Sequence, residues 1–213
     1  MKQKEIIDNY RDLPVGKYEE IVNLCRTGMP EVERKVAIIA ILSGLTEDEV
    51  LHLPLDKFTE YSGKSRFIER ECPENLIPPV ARSYPVGDFV LVPVTDMRKI
   101  TAAQYIDFQT FAKEKETRTV EMLSCFLVPR GMEYNEGYDI LEVHDAIRRE
   151  MSVAEVLSLL AFFFGRFLKS TRAILTSSIR RLKNPETRKR MEEAYRSLAA
   201  SLTSGDGSPM STE

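Results

Sequence analysis

The order of apolar and polar residues along the 213-residue chain predicts mostly short helices. Tyr18, Ile21, Val22 and Cys25 recur at i, i+3, i+4 and i+7, so Val15 to Arg26 is expected to form a helix with one apolar face. Glu31 to Leu42 contains VAIIAIL, apolar on all sides, the pattern of a central helix covered by its neighbours. Gly44 sits where a left-handed residue ends such a helix. Thr46 with Glu49 has the form of a capping box for a short helix that stops near Pro54. A more polar helix is expected over Asp56 to Glu71, interrupted at Ser62-Gly63.

The pattern then changes. Pro54, Pro73, Pro78, Pro79, Pro85 and Pro93 exclude a long helix. Tyr84-Pro-Val-Gly-Asp-Phe-Val-Leu-Val is rich in β-branched and aromatic residues around Gly87-Asp88 and predicts a small β-hairpin near residues 80–95, with its prolines at edge positions. Helical signals resume at Thr101 and Gln104, a second capping box before Tyr105, Phe108 and Phe111. Arg118 to Val128 is expected as an apolar helix ended by Pro129-Arg130-Gly131. A short helix is expected over Val143 to Glu150. Ser152 and Glu155 form a third box opening a long helix over Val153 to Leu182, and Asn184-Pro185 starts another that runs to about Leu202.

The expected fold is therefore mainly α, with one small hairpin and long C-terminal helices. It divides into an N-terminal helical subdomain (1–71), a Pro-rich hairpin segment (72–96), a central helical subdomain (97–165), basic amphipathic C-terminal helices (166–202) and a polar tail (203–213). The central subdomain loosely echoes the first: Leu13 to Ile21 lines up with Ile100 to Phe108, and Lys35 to Leu42 with Thr119 to Phe126.

Charge adds one asymmetry to a chain whose formal total is −3. Between Arg166 and Arg196 ten basic residues face three acidic ones, an excess of +7 that leaves −10 elsewhere. Arg166, Lys169, Arg172, Arg180 and Arg181 lie on an amphipathic stretch with Phe167, Leu168, Ile174 and Ile179. That composition suits docking on protein, self-association included, better than nucleic acid, because no aromatic is placed for base stacking outside Phe162, Phe163 and Phe164. The most apolar run, Val153 to Leu168, carries Glu155 and Arg166 and is too short to span a membrane. Three scattered cysteines favour a reducing compartment.

Candidate chemistry is sparse. His52 and His144 have no second histidine at helical spacing, so each reads as a partly exposed structural residue. Cys125 lies in an apolar stretch that would silence a thiol. Glu19-Glu20, Asp48-Glu49 and Glu192-Glu193 point apart on helices and read as solvated faces. No phosphate-cradling glycine motif or nucleophile elbow occurs. The chain is expected to be non-enzymatic, with no cofactor and no metal.

Three segments carry a family likeness: the hairpin Tyr84 to Val90, then Asp96-Met-Arg-Lys-Ile-Thr-Ala-Ala-Gln-Tyr-Ile-Asp-Phe108, then Val120 to Pro129 with the loop to Asp139. From Val80 to Phe164 the chain resembles tailed-bacteriophage tail assembly chaperones. The resemblance implies a non-enzymatic protein of the host cytoplasm that coats the long helical tape measure protein until tail tube subunits replace it. It implies helix-in-groove recognition, with Tyr105, Phe108 and Phe111 on one helix and Phe162, Phe163 and Phe164 on another as contacts. A structural virion component docked through the basic C-terminal helices is the alternative.

Overall fold

In a computed structural model, residues 5–113, 118–163 and 165–166 are described. The chain divides after Phe164 into two units, and all but Gly165 and Arg166 of these residues belong to the first. Within them the fold is mainly α with a small antiparallel sheet. The expected C-terminal helices, with Lys169, Arg172, Arg180 and Arg181, lie outside the described residues.

The first half is built from local signals. α1 (Val15–Arg26) and α2 (Glu31–Ser43) both start directly after a proline, whose fixed φ suits a helix start. Gly44 ends α2 at φ 67°, donating its N–H to the Ala40 carbonyl at 2.8 Å. Both arms of the Thr46 box close: the Glu49 N–H donates to Thr46 Oγ1 at 3.2 Å, and the Thr46 N–H donates to Glu49 Oε2 at 2.8 Å. They open α3 (Glu47–Leu51). α4 (Leu55–Lys64) runs through Ser62-Gly63, where an interruption was expected, and tightens into a 3-10 turn over Ser65–Glu69. Buried Tyr61 anchors that last turn, and one helical glycine costs only about 1 kcal/mol.

The hairpin is part of a larger sheet. β1 (Tyr84–Val86) and β2 (Phe89–Pro93) pair antiparallel around Gly87, whose φ of 53° suits a glycine-first two-residue loop. β3 (Leu127–Pro129) pairs with the other edge of β2, placing β2 in the centre. These residues were expected to end a helix. Instead α6 (Thr119–Ser124) stops early, and Leu127-Val128-Pro129 supplies the partner that β2 needs. The Val94 N–H donates to the Phe126 carbonyl and the Arg130 N–H to the Val90 carbonyl, extending the ladder at both ends. Satisfying this backbone edge overrides a local helical pattern.

α5 (Ala102–Lys113) starts with the Thr101–Gln104 box, closed on both arms, and Gln104 Nε2 donates to the Cys125 carbonyl. α7 (Ile140–Glu150) begins three residues earlier than expected because Asp139 caps it through the Leu141 N–H. The Ser152–Glu155 box opens α8, described over residues 153–163.

Two apolar clusters result. One gathers Ile6, Tyr10, Leu13, Ile21, Ile39, Leu42 and Val50 from the first half. The other packs Leu91, Leu123, Leu127, Ile147 and Leu159 around the sheet. α8 belongs to both, with Val153 in the first and Val156, Leu159 and Phe163 in the second. A short backbone pairing joins the halves as well: the Val15 N–H donates to Met151 O and the Val153 N–H to Leu13 O, each at 2.9 Å.

Candidate functional site

The aromatic residues expected to meet a partner are placed unevenly. Phe108 and Phe163 are buried, and Phe111 and Phe162 pack half-buried against the same core. Phe126 stacks on both Phe108 and Phe163, with ring centroids 5.1 and 5.0 Å apart. Tyr105 is the exception at 44% exposure, and Ile106 beside it reaches 60%. Arg166 is exposed, and Phe164 falls outside the described residues. Further apolar side chains reach the surface at Leu51, Leu55 and Leu141, exposed by 67%, 80% and 65%. Leu51 and Leu55 flank the Pro54 corner between α3 and α4, beside the exposed acids Asp48 and Asp56.

The polar interior holds three arrangements. His144 is buried, against the expectation of partial exposure, and its Nε2 lies 2.7 Å from Ser124 Oγ. Ser124 also donates to the Glu121 carbonyl at 2.8 Å, so its one proton is committed and the imidazole is the donor to its oxygen. Burial, with the Arg148 charge, holds His144 below its ordinary value despite nearby Glu121, and the ring is a neutral structural link. Near it, burial pushes the Cys125 thiol up to about 12, and Tyr134 donates to Asp107 Oδ2 at 2.9 Å. A thiol so raised is not a nucleophile at neutral pH.

The third arrangement lies at a cleft of about 480 Å³ between α1, α6 and α7. Arg148 at the last turn of α7 donates Nε to Glu19 Oε2 at 3.4 Å and Nη2 to Glu121 Oε1 at 2.6 Å. Arg118 reaches Glu121 Oε1 at 3.2 Å, and Asp145 lies 3.6 Å from Arg148 Nη1. Glu19 was expected on a solvated face with Glu20, but α1 turns it inward, leaving only 8% exposed. Burial raises the Glu19 carboxyl, outweighing the attraction of Arg148. For Glu121, burial acts the same way, but backbone hydrogen bonding and the charges of Arg148 and Arg118 outweigh it and hold it low. Glu19 Oε1 and Glu121 Oε2 are buried without a hydrogen-bond partner.

No protein-family model matches this chain, and no curated protein or solved structure is detectably similar to it. Among the described residues, no group of three or more His, Cys, Asp or Glu could hold a metal ion. No helix among them is long and apolar enough to cross a membrane. Among the described residues the surface offers helix-borne apolar side chains and the interior offers paired charges.

Proposed function

We propose that this chain is a non-enzymatic phage morphogenesis protein, a tail assembly chaperone that binds the tape measure protein in the host cytoplasm. The observation that carries the reading is the set of large apolar side chains held on helices at the surface: Leu51, Leu55, Tyr105, Ile106 and Leu141. An amphipathic helical partner is the natural cover for such side chains. Phe108 and Phe163 stabilise the fold that presents them, leaving Tyr105 and Ile106 as the contacts that α5 offers.

Co-expression with the tape measure protein tests the reading. A soluble complex is expected, and Ile106→Asp is expected to weaken it tenfold or more, about 1.4 kcal/mol. Failure of the two proteins to co-purify refutes it. Stoichiometric protein in purified virions favours a structural component docked through the basic segment of Arg166, Lys169, Arg172, Arg180 and Arg181. Binding that weakens by several log units with salt favours nucleic acid instead.

A further inference from the structure

Two carboxylates from distant parts of the chain meet on a single guanidinium. Nε and Nη2 of an arginine point along the same edge and ordinarily serve the two oxygens of one carboxylate. Here Nε serves Glu19 Oε2 and Nη2 serves Glu121 Oε1, so two carboxyls stand side by side where one usually fits. Each has its other oxygen buried without a donor. Two charges so placed repel, and burial costs the orphaned oxygens their hydration, which the backbone N–H groups of Val120 and Glu121 offset only in part for Glu19.

A metal ion does not resolve the strain, because Arg148 and Arg118 already stand 2.6 and 3.2 Å from Glu121 Oε1 and, among the described residues, no third ligand joins the pair. A proton does. It removes one of the two like charges.

We infer that Glu19 and Glu121 form one acid pair that binds a single proton on the Glu19 side, and that this proton tightens the junction of α1 with α6 and α7. The two arginines that touch the pair decide that placement. Glu121 receives a guanidinium from each of two arginines, Arg118 just before α6 and Arg148, whereas Glu19 receives only that of Arg148, which also lies near Asp145. Lys17 and Glu20 of α1 and Arg149 of α7 stand at the cleft wall, and a charge on His144 favours ionised Glu121. Glu121 is thus the better-compensated anion, and Glu19 is the site of the proton.

The sign of the pH effect follows. A group that holds its proton more tightly when folded stabilises the fold at low pH, and that contribution is lost as pH rises through its folded value. Glu19 belongs to this class, and Glu121, held low, belongs to the opposite one.

Carbon-13 titration of the glutamate side-chain carboxyls in the full chain tests the pair directly. Glu19 is expected to lose its proton at a higher pH than Glu121. Co-titration, or the reverse order, overturns the inference. Denaturant unfolding of wild type and Glu19→Gln, from about pH 4 to about pH 8, reads the coupling to stability. The unfolding constant of wild type relative to the variant is expected to rise with pH across the Glu19 titration. A pH-independent ratio overturns the coupling. Hydrogen exchange at the Val15 and Val153 amides reads the junction: protection, corrected for intrinsic rate, should fall as the proton leaves. Constant protection refutes the tightening, and these wild-type measurements do not depend on any variant folding.

Discussion

At Gly16 the backbone of α1 lies tight against α7, and replacing it tests that approach. A Cβ built at Gly16 would lie 2.8 Å from the Arg148 carbonyl oxygen and 3.0 Å from Arg148 Cβ. The first obstacle is backbone, so no rotamer change relieves it. Overpacking of this kind costs about 1–3 kcal/mol. Against it stands the helical preference of alanine over glycine, at most about 1 kcal/mol and less in a first turn. Gly16→Ala should therefore destabilise by about 1–2 kcal/mol, lowering Tm by roughly 2–8 °C for a domain of this size. Gly63→Ala is the matched control. It lies in α4 with nothing within 4 Å of the added carbon, and should stabilise by about 0.5–1 kcal/mol. The chain has no tryptophan, so urea unfolding is best followed by far-ultraviolet circular dichroism. If Gly16→Ala is as stable as Gly63→Ala, α1 and α7 do not meet at this spacing and the Glu19–Arg148 contact falls with it.

Other outcomes follow from particular side chains. Leu123→Ala, at a fully buried position, should cost about 2–5 kcal/mol in the same urea assay. Thr46→Ala removes one arm of the α3 capping box and should cost about 1 kcal/mol, with serine restoring most of it. With iodoacetamide on the native protein, mass spectrometry should find exposed Cys25 alkylated and Cys125 protected until denaturant is added.

How far the sequence revealed the fold depended on the distance between partners. The Thr46, Thr101 and Ser152 boxes each close within three residues, and each was legible as a short motif. β3 was not, because four to eight apolar residues look alike in a buried helix and a buried strand. The deciding partner, β2, lies more than thirty residues upstream. The same holds for charge. Glu19 beside Glu20 looks like any solvated pair until Arg148, 129 residues away, is folded against it. His144 looked exposed because Ser124, its partner, sits on another helix. The aromatic run at Phe162 and Phe163 was correctly apolar, but apolarity alone does not tell a core face from a docking face.

The backbone pairing of residues near Leu13 with those near Val153 also bears on how the chain is made. Tyr10, Leu13 and Val15 leave the ribosome well before their hydrogen-bond partners Ala154, Val153 and Met151. At ~5–20 residues per second the wait is on the order of ten seconds. During that interval the nascent first half carries an unfinished core with Leu13, Ile21 and Ile39 incompletely covered. Final closure is therefore late, and a stalled or truncated product lacking α8 would expose the surface that the finished protein hides.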